Sequence, residues 1–365
     1  MRLQKITNRI TASLFAAVLI LGCGLTVFLP KAAVSESERR SLAKLPAFSA
    51  EALLDGSYFN GLTTYVTDHF VLREEFRAVN GAVRTGIMRQ PDVGGVLEAD
   101  GGYLFQPAWP MDEKSFVSNA EKLRAIADKH FADVPVYFSV IPDKADFSGK
   151  DMPRLDTERV ATLTKEHLGG KYIDITGTLE LTDYYRTDTH WRQEMLEDTA
   201  NALVTGMGGE PLKNDFEWKT LEGTFRGVLW GRYARPLKEE DVLCYGVNEA
   251  TENAVVNYVE RPELNTVYTP GVNPMDPYDT FLSGASSIIE ITNPGAETDK
   301  HLVLFRDSFG SSIAPWLLTR YEKITMIDIR YVSSTIMGDY AELDTADEVL
   351  FLYSAAILNT GGILK

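Results

Sequence analysis

Two short stretches of the chain contain side chains of the types that carry out proton transfer and nucleophilic attack. In TDTHW, Asp188 stands two residues before His190, one of only five histidines among 365 residues. Residues two apart point to the same side of an extended segment, so the carboxylate can accept the imidazole N–H and fix its tautomer. In RDSFG, Ser308 follows an apolar run that ends at Phe305. Asp, His and Ser are the three side chains that a nucleophilic triad requires.

The residues around Ser308 predict a junction between a strand and a helix. HLVLF before it has the composition of a buried strand, and SIAPWLLTRY after it is typical of a helix. Ser311 or Ser312 is the expected N-cap, with Pro315 in the first turn. A serine at such a junction is exposed, and nearby backbone N–H groups, including that of Ser308 itself, can face a developing oxyanion.

Simpler interpretations of both stretches stay open. Asp188 or Thr189 can cap a helix predicted at 191–207, with His190 as a half-buried filler, and Asp307 can hold an ordinary turn. A metal site needs a ligand beyond the Asp-His pair, and no Cys/His cluster has zinc spacing. We therefore expect no metal, and the lack of a Gly-rich phosphate loop predicts no cofactor.

The elements that position these residues follow from alternating strand-like and helix-like segments. This alternation, over residues 96–365, predicts βαβ units and a mostly parallel sheet covered on both faces. Both candidate stretches fall at predicted strand-to-helix junctions, so they can open onto the same edge of the sheet, where ligands bind. Residues at about 213–275 lack a clear period and predict an insertion of strands and loops.

The N-terminal residues 1–30 differ in composition from the rest. Three basic residues precede an uncharged run of 20 residues, 10–29, which at about 1.5 Å per residue spans a bilayer core of about 30 Å. We interpret 1–30 as a membrane anchor with its N-terminus in the cytoplasm and the main domain outside. A cleaved signal peptide is the alternative. A lipid-modified Cys23 fits less well, because the apolar run continues beyond it.

Composition excludes several classes of protein. The net charge of −16 argues against non-specific nucleic-acid binding, and 44% hydrophobic residues is ordinary for a globular chain. Cys23 and Cys244 are the only cysteines, so no disulfide is expected within the outer domain.

Residues 31–95 are predicted to be a membrane-proximal stalk with helices, and residues 96–365 are predicted to be the main domain.

Several further motifs occur in a fixed order. SESERRSLAKLPAFS, DGSYF, YVTDHFVLRE and SVIPDKADF precede TDTHW and RDSFGSS. In this order they resemble the DHHW family of bacterial membrane-anchored proteins and, more distantly, the alginate O-acetylation proteins. The resemblance implies an SGNH-hydrolase-like three-layer α/β/α fold, with Ser308 as the nucleophile, His190 as the general base and Asp188 as its orienting partner. It also implies a glycan substrate and an acetyl supply from an MBOAT-type membrane partner.

Two positions depart from the family pattern. Thr189 replaces the second residue of the naming motif and leaves the triad intact. Ser283-Gly284-Ala285 stands where relatives often carry Gly-Gly-Asn, so an amide donor to the oxyanion is missing and the Gly284 backbone is a candidate replacement. Loss of one such donor costs roughly 10²- to 10³-fold in rate in other enzymes.

The combined observations favour an extracytoplasmic, serine-dependent O-acetyltransferase-like enzyme that acts on a cell-wall or exported polysaccharide. The same triad with water as acceptor gives a carbohydrate acetylesterase, and a non-catalytic glycan-binding or scaffold protein is the third interpretation. Candidate substrate-binding residues are Trp191, Trp230, Tyr233 and Arg306. Packing in a small satellite core is the alternative role of the aromatic residues in the insertion.

Overall fold

The computed structural model describes residues 2–149, 152–236 and 239–365. These form two compact units. The first comprises Met1–Gly95 and Trp230–Leu237, and the second comprises Val96–Leu229 and Lys238–Lys365.

Regular secondary structure occurs throughout both units. Within the described ranges the α-helices are α1 (Arg2–Phe28), α2 (Ala50–Leu54), α3 (Ser57–Asp68), α4 (Arg73–Ala82), α5 (Glu113–His130), α6 (Thr157–His167), α7 (Glu197–Gly206), α8 (Val228–Tyr233), α9 (Glu249–Asn253), α10 (Gly310–Leu317) and α11 (Ala355–Leu358). The strands are β1 (Val34–Ser35), β2 (Arg40–Ser41), β3 (Asp92–Val93), β4 (Val96–Glu98), β5 (Leu104–Phe105), β6 (Val136–Ile141), β7 (Lys171–Tyr172), β8 (Glu217–Thr220), β9 (Cys244–Val247), β10 (Val255–Tyr258), β11 (Ile288–Thr292), β12 (Thr298–Arg306), β13 (Tyr321–Ile327) and β14 (Glu348–Ser354).

Helices α1 to α4 make up most of the first unit. By length and composition, α1 is long and apolar enough to cross a membrane. Asp68, at the end of α3, is buried and accepts hydrogen bonds from the Arg40 guanidinium and from the backbone N–H of Ala43. The guanidinium holds the pKa of Asp68 well below its usual value. These bonds tie the short ladder of β1 and β2 to α3.

A seven-stranded sheet forms the centre of the second unit, in the order β10-β11-β13-β12-β14-β6-β7. From β13 to β7 each neighbouring pair is parallel, and β10 and β11 add an antiparallel edge. The predicted mostly parallel α/β sheet is therefore confirmed.

The central strands bury both faces, as a covered parallel sheet requires. Along β12, Leu302 and Leu304 belong to one core cluster, which includes the buried residues of α7 and α10. The alternate residues Val303 and Phe305 belong to the other cluster, with α5 and α6. Successive side chains of a strand point to opposite faces, so this alternation defines three layers.

Helix boundaries near both candidate stretches differ from the predictions. The helix expected at 191–207 begins at Glu197, and its N-cap residue makes no side-chain hydrogen bond, so the cap interpretation of Asp188 or Thr189 is wrong. Ser311 and Ser312 are not N-caps either, because α10 already begins at Gly310, and Pro315 lies inside it rather than in the first turn. The buried packing of α10 outweighs these local signals.

Candidate active site

Ser308 lies just beyond the carboxyl end of β12, in the turn that leads into α10. The carboxylate of Asp307 fixes this turn. Its Oδ1 accepts the Phe309 N–H at 3.0 Å, and its Oδ2 accepts the Ser354 N–H at the end of β14 at 2.8 Å. Asp307 thus joins the ends of two adjacent parallel strands and sets the direction of the serine between them.

The TDTHW stretch forms an irregular loop whose polar groups converge on Asp188. The Asp188 side chain is almost fully buried. Its Oδ1 accepts the backbone N–H of His190 at 3.1 Å and lies 2.6 Å from His190 Nδ1. Its Oδ2 accepts the Val228 N–H at 2.9 Å. Both oxygens therefore have donors, which stabilises a buried carboxylate.

Gly227 permits the approach of the Val228 donor. A Cβ at this position would lie 2.3 Å from the Thr187 carbonyl oxygen and 2.4 Å from Asp188 Cβ. These distances are too short for any side chain, so the close passage of residues 227 and 228 over the loop requires glycine. Sequence reasoning missed this pair because nothing in GVLW indicates a contact 40 residues earlier in the chain.

His190 connects the two stretches. Its Nε2 lies 2.7 Å from Ser308 Oγ, and its Nδ1 faces Asp188. A carboxylate can only accept from Nδ1–H, so the hydrogen-bond network assigns Nε2 as the acceptor of the serine O–H. The structure thus brings Asp188, His190 and Ser308, predicted together from the sequence, into one continuous hydrogen-bonded chain.

Tyr278 supports the imidazole ring from one side. The two rings stack at 3.9 Å between centroids with an interplanar angle of 11°, and Phe309 contacts the imidazole at 4.8 Å. The Tyr278 hydroxyl bonds Ser312 Oγ at 2.8 Å, and Ser312 also accepts the Trp191 indole N–H at 2.8 Å. A parallel aromatic face favours the imidazolium form that proton transfer would create.

We expect Tyr278→Leu to slow modification of Ser308 by a sulfonyl fluoride about tenfold, because the imidazole loses its planar support. Tyr278→Phe keeps the stacked ring and loses only the bond to Ser312, so it serves as the matched control and should stay within about twofold of wild type. Modification rates measured across pH by intact mass compare the three proteins. Equal losses in both variants would assign the role to the hydroxyl instead of the stack.

Lys144 holds the loop that carries Asp188. Its ammonium is buried and bonds four backbone carbonyls, those of Leu104 at 2.8 Å, Tyr185 at 2.5 Å, Arg186 at 3.0 Å and Asp188 at 3.1 Å. Burial lowers the pKa of Lys144 to about 7, while Asp241, Asp188 and Asp143 oppose that shift. The sequence contained this residue in the DKADF motif without indicating what it contacts.

A cavity of about 180 Å³ opens beside Ser308. Its wall is mostly apolar, with Phe105, Pro142, Leu229 and Ile357 among the lining residues. The polar lining includes Ser308, Thr189, Lys144 and Arg330. Arg330 was not a sequence candidate. Its guanidinium bonds both oxygens of the buried Asp328, at 2.9 and 2.6 Å, so it is held in a fixed orientation.

The two candidate oxyanion donors are placed differently. Among the described residues, the Ser308 backbone N–H has no hydrogen-bond acceptor. Gly284 does not line the cavity. Its φ is +77°, its N–H donates to the Phe281 carbonyl at 3.3 Å, and a Cβ there would lie 2.2 Å from Asp279 Oδ1. Glycine at 284 is therefore required by a tight turn against Asp279.

The candidate substrate-binding residues are all engaged in internal contacts. Trp191 is fully buried and bonded to Ser312. Arg306 is 1% exposed and donates to the Asp307 carbonyl at 3.3 Å. Trp230 and Tyr233 belong to the first unit. There the Trp230 indole donates to the Arg235 carbonyl and the buried Tyr233 hydroxyl accepts from the Arg235 guanidinium. A role in substrate binding stays a prediction for these four.

The chain matches no protein-family model and no curated protein sequence. It is similar to several solved structures. A DHHW family protein from Eubacterium siraeum superposes with a TM-score of 0.60 at 19% identity, over 74% of this chain and 94% of that chain. Bacillus cereus PatB1, solved with a sulfonyl adduct, has a TM-score of 0.56 at 17% identity, over 74% of this chain and 99% of its own.

The O-acetyltransferase domain of Pseudomonas putida AlgJ also matches, with a TM-score of 0.46 at 12% identity over 73% of this chain and 92% of that one. At these identities, the two matches with TM-scores of 0.60 and 0.56 establish the fold. Over about three quarters of its length this chain is structurally related to the DHHW family protein, which confirms the relation predicted from its motifs.

Proposed function

We propose that this protein is an extracytoplasmic, serine-dependent O-acetyltransferase that modifies a cell-wall or exported polysaccharide. The observation that carries the proposal is the hydrogen-bonded chain from Asp188 through His190 to Ser308. It ends at the carboxyl edge of a parallel sheet, where such folds bind ligands, and beside a small apolar cavity. The mostly apolar wall of this cavity suits the methyl end of a short acyl group.

Each group of the chain has a defined part in the proposed reaction. Ser308 Oγ attacks the acetyl carbonyl carbon of the donor while its proton passes to His190 Nε2. The Asp188 carboxylate stabilises the imidazolium. Collapse of the tetrahedral intermediate breaks the bond to the leaving group, which takes the proton from His190 and leaves an acetyl-serine.

The second half of the reaction reverses these roles. A sugar hydroxyl gives its proton to His190 Nε2 and attacks the acetyl-serine, and Ser308 leaves with that proton. The Ser308 backbone N–H is the donor we assign to the oxyanion in both halves, since it has no competing acceptor among the described residues. Gly284 would contribute only if its N–H left the Phe281 carbonyl.

The setting of the proposed enzyme follows from the N-terminal helix and the motif resemblance. We assign α1 as the anchor, with the following domain on the outer side of the membrane. An exported domain needs acetyl groups delivered across that membrane, so an MBOAT-type acyltransferase is the partner we propose. Cleavage of α1 as a signal segment would release the same catalytic unit.

The test uses the purified full-length chain in detergent with an activated acetyl ester. We expect intact-mass analysis to detect one acetyl group on wild type and, after addition of an unacetylated polysaccharide, transfer of that group to sugar hydroxyls. Rapid loss to water, unchanged by glycan, would make the protein an acetylesterase with the same site. Glycan binding without any acyl-enzyme would support the scaffold alternative and contradict both enzymatic versions.

A further inference from the structure

An apolar stripe runs along the outside of α4 in the first unit. Phe76 and Val79 lie in α4, between its N-cap Leu72 and Val83, which directly follows its last residue. The four residues are spaced by four, three and four positions, so their side chains share one face. All four are between 36% and 59% exposed. We call these four residues the α4 stripe. Large aliphatic and aromatic side chains in a contiguous exposed row mark a surface that contacts something apolar.

The segment that leads into α4 contacts the end of α1. Thr26 in α1 is buried, and its Oγ1 accepts the backbone N–H of Val71 at 3.1 Å. The Phe70 ring lies directly against Gly22, where a Cβ would come within 3.3 Å of its Cζ. Both contacts lie within the first unit, so the stripe begins immediately beside the end of the apolar helix.

These contacts relate the stripe to the depth of a bilayer. Gly22 precedes the last residue of α1, Phe28, by six positions, which is about 9 Å along a helix axis. If α1 crosses the membrane, the Phe70 ring therefore reaches below the outer end of the span. Leu72, the N-cap of α4, then lies at the interface between lipid tails and headgroups.

On the remaining faces of α4 both arginines are already paired, and Glu75 is exposed. Arg73 and Arg77 bond Glu74 at 2.7 and 2.8 Å, and Arg73 also pairs with Glu38. A helix with one apolar and one charged face is the type that lies flat in a membrane interface. Because its arginines are neutralised internally, its contact with lipid depends on the apolar residues and not on anionic headgroups.

We infer that the α4 stripe lies in the outer leaflet of the bilayer that α1 crosses. The first unit then contacts the membrane at two places, through α1 and through the α4 stripe, and is not a free stalk. The occupant of the stripe is lipid. The inference rests on the proposed membrane anchor and is independent of the acetyltransferase assignment.

The test places single labels on the full-length chain in lipid nanodiscs. Cys23→Ser and Cys244→Ser remove the natural thiols, and Val79→Cys then carries an environment-sensitive fluorophore. We expect brominated lipid to lower its emission by about half, equally in zwitterionic and anionic discs, because the site is buried among acyl chains. Arg84→Cys, exposed on the polar flank of the same segment, is the matched control and should change little.

Two further labels keep the outcomes separate. Leu19→Cys, within α1, reports whether the anchor itself is in the bilayer, and Phe76→Cys repeats the stripe measurement at a second position. Quenching at 19 without quenching at 76 or 79 would overturn the inference and leave the anchor in place. No quenching at 19 would overturn the anchor and the inference with it. Energy transfer between labelled copies at 79, without bromine quenching, would assign the stripe to a second copy and overturn lipid as its occupant.

Discussion

Replacement of Ser308 by alanine is expected to abolish acetyl transfer, with the single-turnover rate falling about 10⁵-fold or more, as in other triads. The reason is the 2.7 Å contact between Ser308 Oγ and His190 Nε2. Without the hydroxyl, the imidazole has no proton to accept and the acyl-enzyme cannot form. The measurement is acetyl release and intact mass after mixing with an activated acetyl ester.

Ser311→Ala is the matched control, because Ser311 is a buried serine only three residues away whose hydroxyl makes no hydrogen bond to a histidine among the described residues. It should keep nearly full activity. His190→Ala should lose about as much as Ser308→Ala, and the double variant little more, since the two groups act as one unit. Additive losses, or an acetyl group still found on the Ser308→Ala protein, would place the nucleophile elsewhere.

Replacement of Lys144 by methionine is expected to lower the free energy of unfolding by about 3 kcal/mol or more, because buried carbonyls lose their donor. The Asp188 carbonyl is one of them, so the loop should shift relative to Ser308. A shift of about 1 Å at a catalytic group costs about 100-fold in rate. Urea denaturation and the rate of sulfonyl labelling at Ser308 measure the two effects separately.

Lys122→Met is the control for Lys144→Met. Lys122 is a half-buried lysine of the same unit whose ammonium bonds one carbonyl, that of Leu364 at 2.8 Å. Its replacement should cost well under half as much stability and leave the labelling rate unchanged. Equal effects of both replacements would mean that Lys144 has no special relation to the site.

A comparison of wild type with Lys144→Met across pH tests the titration of Lys144. Burial lowers its pKa to about 7, whereas a lysine in an unfolded chain titrates at about 10.4. Between these values the unfolded chain binds a proton that the folded chain has released. The contribution of Lys144 to the free energy of unfolding is therefore lowest below pH 7 and rises toward pH 10. The difference between wild type and Lys144→Met should widen over that range. A constant difference would contradict the lowered pKa.

Much of the fold was predictable because apolar strand-like runs alternate with helix-like segments along the sequence. The strands β12 and β14 contain continuous apolar runs, LVLF and VLFLY, which is the pattern of strands buried on both faces. The predicted start of α7 and the predicted N-cap of α10 were wrong. In both cases a polar residue with good capping chemistry was available, but packing placed the helix start elsewhere.

For the candidate site, the sequence by itself determined the Asp188–His190 pair. Two residues that are two positions apart in an extended segment point to the same side and can bond each other, so this pair can be predicted from the local sequence alone. The sequence also determined that Ser308 closely follows a buried strand. It did not determine that Ser308 meets an imidazole 118 positions earlier in the chain, although the order of motifs pointed there.

Only the tertiary structure decided the contacts that hold the pair in place. The Val228 N–H on Asp188, the Tyr278 ring on His190 and the Lys144 ammonium under the loop come from three separate segments. None has a periodic signature, because a hydrogen bond or a ring contact depends on where two chain segments cross and not on their local pattern. Burial then makes these contacts strong, since each group has lost the water that would otherwise replace its partner.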